Sequence, residues 1–409
     1  MTQPTSPAHC SEHALAYGRQ RSAIRELFEY GNRVAEEVGR ENVFDFSLGN
    51  PSVPPPDAVY EAFETLLANT PPLALHGYTS APGDPGVRRA IADALNARHG
   101  TSYDQNNVFM TCGAAAALAS TFRALTIDDE PNEFIALAPY FPEYNAYVSG
   151  QNAELTVVPP TYPDFGLSID AIEARIGPHT RAVIVNSPNN PTGRLYPAEE
   201  LRALGEMLDR ASDKVGHTIY IVSDEPYREL VYDGKTTPFI PNLYRNTIVC
   251  YSYSKVLSMP GNRIGYVLVP SDIDHADDIY DAVGGAARLL GYVCAPALIQ
   301  RVIGECVDVH PDLAPYDANR KLLYDGLTDA GYRCVVPEGA FYMFVEAPGG
   351  DAQAFSDFAR LNYNLLTVPS ESFGCPGYLR ISYCVTDDQI RRALPRFKRC
   401  LEEWNARQA

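Results

Sequence analysis

Positive charge is scarce in this sequence: 33 Lys and Arg stand against 51 Asp and Glu, a formal net charge of −18. That imbalance excludes a general nucleic-acid or anionic-membrane surface, and an anionic ligand needs a locally positive pocket. The nine cysteines are odd in number, lie scattered from Cys10 to Cys400 and include no CxxC pair. This argues against a disulfide framework or a zinc site and for reduced, mostly buried thiols in a cytoplasm. His9, Cys10 and His13 lie in a polar N-terminal stretch and read as tail, so no metal is expected. No apolar run approaches a membrane span, and no charged-then-apolar leader opens the chain. Internal repeats and low-complexity blocks are missing as well.

What is there is an ordinary globular balance, 45% hydrophobic and 21% charged, in a 409-residue chain long enough for two domains. Residues 1–15 read as a tail. The spacing of Ile24, Leu27, Phe28, Val34 and Val38 predicts a helix over Arg19–Arg40. Leu48-Gly49-Asn50-Pro51 and Pro54-Pro55-Pro56 break regular structure, with Asp57 the expected cap of a helix reaching Leu67. From about residue 85, predicted helices over Arg88–Arg98 and Ala114–Leu125 alternate with short apolar runs. Those runs predict strands at 108–110, 134–137, 155–158, 182–185, 218–222 and 247–251. Such alternation implies an α/β protein with a mostly parallel sheet covered by helices on both faces. A long helical tract is predicted over 276–305. Beyond Tyr316 a smaller α+β unit follows, with strands expected at 332–336, 341–345 and 378–383.

Open α/β sheets bind ligands outside the carboxyl ends of their strands, and these strand ends carry unusual residues. The first leads into Thr111-Cys112-Gly113-Ala114-Ala115-Ala116-Ala117-Leu118, where small residues leave backbone N–H groups open to a phosphate. An alanine-rich helix packed tightly on the sheet is the other reading. Pro139-Tyr140-Phe141-Pro142 holds Phe141 in a rigid turn, to stack on a flat ring or to fill the core. In Asn186-Ser187-Pro188-Asn189-Asn190-Pro191-Thr192-Gly193, two prolines stiffen a turn from which Asn190 can donate to a phenolate oxygen. A plain Asn/Pro/Gly loop is the alternative. In Ser223-Asp224-Glu225-Pro226-Tyr227, a carboxylate at a buried strand end is costly unless paired. Asp224 either caps a helix or faces a pyridine nitrogen, keeping it protonated so that the ring is an electron sink. Tyr227 is then placed to bond the ring's O3′.

The most telling stretch is Ser252-Tyr253-Ser254-Lys255, followed eight residues later by Arg263. A lysine at the mouth of a buried strand can be desolvated, lowered in pKa and made nucleophilic toward a carbonyl, such as the aldehyde of pyridoxal phosphate (PLP). The fork of Arg263 suits phosphate, and Gly265 permits close backbone approach. Arg380 stands inside an apolar strand, where a guanidinium needs either a structural ion pair or an α-carboxylate.

In order and spacing, Asn190, Asp224, Tyr227, Lys255, Arg263 and Arg380 resemble the class I/II aminotransferases, fold-type I PLP enzymes with an aspartate-aminotransferase-like plan. The resemblance runs from Leu48-Gly49-Asn50-Pro51 to Arg380. It implies a mainly parallel seven-stranded sheet in a large PLP-binding domain over residues 60–300. A small α+β domain is implied for the N-terminal segment 16–59 together with residues 301–409. It implies Lys255 as the Schiff-base lysine and base for the 1,3-proton shift, Asp224 on the pyridine N1, Asn190 and Tyr227 on O3′, and Phe141 against the ring. The amides of Gly113, Ala114 and Ala115, with Ser252 and Arg263, are implied to cradle the phosphate. Arg380 takes the substrate α-carboxylate beside Asn190 and the backbone of Gly49. Tyr78 is implied to reach the phosphate across the interface of a homodimer. Many relatives carry a serine or threonine in the phosphate turn where this chain has Ala114 and Ala115, which shifts that task to backbone amides and Arg263. Phe141 in place of Tyr or Trp is a milder departure.

The implied reaction is ping-pong transamination between an L-amino acid, leaning to aspartate or a relative of it, and a 2-oxo acid such as 2-oxoglutarate. The same cofactor serves lyases and biosynthetic cyclases. A PLP-binding regulator without turnover is a reading of another class, but no helix-turn-helix extension accompanies it here. For the substrate side chain, Arg288 is either a second cation for a distal carboxylate or a solvated helix residue. Tyr17, Tyr30, Tyr144 and Tyr147 are candidate walls of an apolar, aromatic-tolerant pocket.

Overall fold

The computed structural model describes residues 9–19 and 23–408. In chain order its strands are β1 Phe44–Asp45, β2 Val108–Thr111, β3 Glu133–Leu137, β4 Glu154–Val158, β5 Thr180–Asn186 and β6 Tyr220–Asp224. They continue with β7 Thr247–Ser252, β8 Gly265–Leu268, β9 Tyr342–Glu346, β10 Leu365–Leu366, β11 Val368–Pro369 and β12 Tyr378–Ser382. Strands β2 to β8 form one seven-stranded sheet in the order β2-β8-β7-β6-β5-β3-β4. Within it β8 alone runs antiparallel to its neighbours.

Alternation of side chains along each strand explains the helix–sheet–helix layering. Phe134, Ala136, Ile184, Val222 and Ile248 face the helix Ala114–Leu125 through Ala117, Leu118 and Phe122. Ile135, Val183, Val185 and Ile221 face the helix Ala198–Val215 through Leu201, Leu204 and Leu208. Every position of β6 and β7 is therefore buried, which is why these strands read as unbroken apolar runs. Each fully buried aliphatic side chain contributes about 1.5–3 kcal/mol of transfer free energy.

The second body is built on the antiparallel sheet β11-β12-β9 and on the parallel pair β1-β10. Its core joins Phe44 and Phe46 to Phe355, Phe397 and Trp404. The chain entry is thus sewn into the C-terminal unit: Phe44 N–H donates to Asn364 O at 2.9 Å and Phe46 N–H to Leu366 O at 3.0 Å.

Several expectations need correcting. Of the stretch expected as tail, Glu12–Arg19 belongs to a helix and residues 1–8 lie outside the described residues; of the helix expected over 19–40, Ala23–Val38 is helical, Arg40–Asn42 is a 3-10 turn, and residues 20–22 lie outside the described residues. Asp57 is the first helical residue of Asp57–Asn69, with Pro56 in the cap position. The tract 276–305 is two helices, Ala276–Leu289 and Ala297–Glu305. Between them Gly291 takes a φ of 79° and Pro296 cannot continue a helix. The strand expected at 332–336 shrinks to one bridge, Cys334 to Val345. The chain then turns away from β9, as the N–H groups of Glu338 and Gly339 both donate to Gly193 O. Helices Asp57–Asn69 and Ala297–Glu305 straddle residues 60 and 300, and both pack on β2 and β7 through Val59, Ala62, Val302 and Ile303. Among the described residues no helix is long and apolar enough to cross a membrane.

Candidate active site

Asn186 and Asp224 close β5 and β6 and are register partners across the ladder. Asp224 is buried and caps no helix. Its Oδ2 accepts from the Tyr144 hydroxyl at 2.6 Å, and Asn186 Nδ2 donates to its backbone oxygen at 2.9 Å. Its Oδ1 is buried without a partner among the described residues. Burial pushes the Asp224 carboxyl up to about 7, against the pull of the Tyr144 bond. An unsatisfied buried acceptor costs about 1–3 kcal/mol, so this oxygen calls for a donor delivered from the cavity.

Lys255 lies in the one-turn helix Tyr253–Val256 that β7 feeds, its start capped by Ser252 Oγ accepting from Ser254 N–H. Lys255 Nζ meets a carbonyl rather than a carboxylate, donating to Gly49 O at 2.6 Å. Burial lowers its pKa to about 8, with the like charges of Arg380 and Arg263 acting in the same direction. A substantial neutral fraction near neutrality makes it a nucleophile and a base.

Arg380 sits in β12 with only 2% of its surface exposed. Its Nη1 donates to Asn190 Oδ1 at 3.2 Å and its Nη2 to Ser47 O at 2.5 Å. Its guanidinium lies 4.5 Å from the Tyr342 ring and 5.3 Å from the Phe373 ring, and its Nε has no hydrogen-bond partner among the described residues. Those partners are all neutral. Tyr342, which the sequence reading missed, organises this corner: its hydroxyl lies 2.9 Å from that of Tyr227. A Cβ on Gly49 would fall 2.0 Å from the same hydroxyl, so only glycine fits there.

At the other end, Gly113 caps the helix Ala114–Leu125 with φ 82°, aiming the free N–H groups of the first turn into the cavity. Arg263 crosses this turn, its Nη2 donating to Cys112 O at 3.3 Å and its Nη1 to Pro260 O at 3.0 Å. A Cβ on Gly113 would lie 2.9 Å from Arg263 Nη2. A helix N-terminus, a guanidinium and the Ser252 hydroxyl on one wall make an anion cradle.

One cavity of about 330 Å³ collects Gly49, Ala114, Ala115, Phe141, Asn190, Asp224, Tyr227, Ser252, Lys255, Arg263 and Arg380. Gly113 sits at the helix cap just behind that wall, and Tyr78 stands apart, 96% exposed. Of the four tyrosines considered as pocket walls, Tyr147 lines the cavity. Tyr144 is no wall, because its hydroxyl is turned onto Asp224. Tyr17 bonds Ser149, and Tyr30 lies under Arg360. Arg288 is exposed on Ala276–Leu289, outside the lining. The mouth also holds Ile24, which sequence spacing marks only as a helix position, and Arg25 and Glu143, which it does not mark. An orphan carboxylate oxygen, a neutralisable lysine and an anion cradle in one cavity are the groups that PLP requires.

Residues 41–397 match the family described as aminotransferase class I and II. A probable aspartate/prephenate aminotransferase of Thermus aquaticus is 32% identical over 383 residues, 91% of this chain and 95% of the relative. An aspartate aminotransferase of Geobacillus stearothermophilus is 32% identical over 343 residues, 80% of this chain and 84% of the relative. Among solved structures, an amino transferase from Eubacterium rectale superposes with a TM-score of 0.95 at 50% identity, covering 97% of this chain and 100% of its own. Thermus thermophilus aspartate aminotransferase with maleate gives 0.83 at 26% identity, covering 96% and 100%.

Proposed function

This chain belongs to the class I and II aminotransferases and is a PLP-dependent aminotransferase, and from there we propose that it moves an amino group by a ping-pong exchange between an L-amino acid and a 2-oxo acid. The donor we propose is aspartate or a close relative of it, and the acceptor 2-oxoglutarate. Relatives named as aspartate and aspartate/prephenate aminotransferases support that choice. The observation that carries the reading is the pairing of half-buried Lys255 and buried Arg380, two cations with neutral partners in one cavity.

PLP, when bound, supplies an electron sink for breaking the Cα–H bond of an amino acid. In this reading Lys255 would hold the cofactor through its amine and would be the base that carries the proton from the substrate Cα. Asp224 Oδ1 would take the ring nitrogen's proton as a hydrogen bond, Asn190 and Tyr227 would hold O3′, and Phe141 would pack against the ring. The N–H groups of Gly113, Ala114 and Ala115, with Ser252 and Arg263, hold the phosphate. Arg380 takes the α-carboxylate beside Asn190 and Gly49, fixing the orientation in which the proton moves. We read the chain before Asp57 together with the chain after Glu305 as the small domain that covers the large one, since the helices Asp57–Asn69 and Ala297–Glu305 pack on the large sheet. We read the molecule as a cytoplasmic homodimer in which Tyr78 reaches the partner's site. The exposure of Leu73 (91%), Tyr78 (96%) and Leu289 (75%) supports such an interface.

The test is the visible spectrum of the PLP-loaded protein during titration with a panel of L-amino acids, without added oxo acid. Transamination bleaches the yellow form with one class of donor, and a 2-oxo acid restores it. Persistent colour with release of pyruvate and ammonia points to a lyase. Colour that no amino acid changes overturns the reading.

A further inference from the structure

Tyr144 has no part in the reading above, yet it makes the one short bond to the Asp224 carboxylate: its hydroxyl donates to Oδ2 at 2.6 Å, while Asn186 Nδ2 lies 3.5 Å from that oxygen. Tyr144 is 1% exposed and opens the helix Tyr144–Ser149, directly after the turn that carries Phe141. Its ring is boxed in, edge-on to Phe141 at 5.7 Å and 86° and stacked on Tyr140 at 6.4 Å and 13°. A ring so confined delivers its hydroxyl to one place. With Oδ2 tied down, the carboxylate's rotation is restricted, and Oδ1 is the oxygen left without a partner among the described residues, at the cavity wall.

A hydrogen bond donated to an ionised carboxylate favours its charged form and makes it a weaker base. The other titratable groups around Asp224 work differently. Glu225 follows it in the chain with a like charge, which raises its proton affinity. Tyr227 and Cys250 are held protonated by burial. Burial likewise keeps the Tyr144 hydroxyl protonated, so it stays a donor across the working pH range.

We propose that Tyr144 is a positioning residue: it sets the Asp224 carboxylate with Oδ1 toward the cofactor ring nitrogen and keeps the shared proton on that nitrogen rather than on Asp224. The proposal rests on the role given above to Asp224. It concerns a single phenol, whose contact with Asp224 spans 80 residues of sequence.

Tyr144→Phe removes only the hydroxyl. Tyr140→Phe is the control, since that hydroxyl accepts from Asn145 Nδ2 and makes no bond to Asp224. Two quantities are read on each protein: the 15N resonance of bound ring-labelled PLP, and the dissociation constant of PLP from the apoprotein by fluorescence titration. In Tyr144→Phe the resonance is expected to move toward that of an unprotonated pyridine, with PLP held roughly tenfold more weakly, the scale of one charged hydrogen bond. Tyr140→Phe should match the natural protein in both. A Tyr144→Phe protein with unchanged resonance and affinity overturns the proposal. A natural protein whose own bound PLP shows an unprotonated ring nitrogen overturns the role of Asp224 instead, so the two failures are separable.

Discussion

Asp224 and Glu225 are neighbours in the chain on opposite sides of the sheet, and they are finished in opposite ways. On the far side, Glu225 accepts from Ser223 Oγ at 2.6 Å and forms an ion pair with Arg228. That guanidinium lies 4.5 Å from the Tyr251 ring and 5.6 Å from the Phe239 ring, and it donates to the Tyr266 hydroxyl at 3.1 Å. On the cavity side, Asp224 keeps an open oxygen, and Lys255 and Arg380 rest on neutral acceptors. Asp224 and Arg380 are as buried as Glu225 and Arg228, so burial of charge by itself does not mark a functional site. What separates the sides is charge pairing, since Arg228 Nη2 also lacks a hydrogen-bond partner among the described residues. Charges that the fold has paired carry structure, and charges it has left short of an opposite charge await a ligand.

The sharpest way to break this contrast is to remove one charge from each side. Lys255→Ala is expected to lower the rate of substrate conversion by roughly ten-thousandfold, the upper range of what a positioned base contributes. Its melting temperature should not fall, because no ion pair is lost. Single-turnover conversion and a thermal melt check both halves. Arg228→Leu should do the reverse. It strands the Glu225 carboxylate and is expected to cost about 3–5 kcal/mol in urea unfolding. Folded enzyme that survives at low temperature should keep its KM for the amino acid. Should Arg228→Leu instead spare stability, the distinction between completed and open charges fails.

Arg380→Leu tests the cavity side with a smaller effect. Losing a charge-assisted contact to the α-carboxylate is expected to raise KM for the amino acid by about ten- to a hundredfold, equivalent to about 1.5–3 kcal/mol. Urea stability should hold or rise, since the substitution deletes a buried charge that no carboxylate balances among the described residues. A large stability loss with unchanged KM would make Arg380 a structural residue.

The two sides also differ in how legible they are from sequence. The cavity side was readable because its residues are short-range interruptions of apolar strands: Asp224 and Lys255 stand where runs of buried residues end. Parallel strands buried on both faces announce themselves, so the strands from β2 to β7 were expected within a few residues of their observed ends. Strand β8 was not. It has four residues and follows Arg263, whose φ of 50° marks a turn no composition rule signals. The two-residue strands β1 and β10 are too short to carry a periodicity, although they tie the chain's entry to its C-terminal unit. The roles of Tyr144 and Tyr342 were hidden for a different reason. Their bonds to Asp224 and Tyr227 close over 80 and 115 residues, and in sequence each is one tyrosine among 26. Local pattern locates strand ends, and only the assembled sheet shows which distant phenol reaches them.

The smallest expected effect lies in pH. Burial brings Lys255 down to about 8 from the usual 10.5. Its neutral amine is the form that attacks a carbonyl. The rate at which apoprotein captures PLP, taken relative to a free alkyl amine to cancel the cofactor's own titration, should therefore be flat with pH up to about 8. Above that it should fall as the free amine continues to gain. Linkage gives the same window an independent reading. Between about 8 and 10.5 the unfolded chain binds the proton that folded Lys255 has lost, so apoprotein stability should gain as pH rises through that range. Asp224 has the opposite sign. Its folded pKa of about 7 lies above the ordinary 3.8, so its contribution to stability declines as pH climbs from about 4 to 7. Lys255→Met should flatten the upper window and Asp224→Asn the lower one in urea titrations across pH. If either slope survives its substitution, the group left open by the fold is not the one that titrates there.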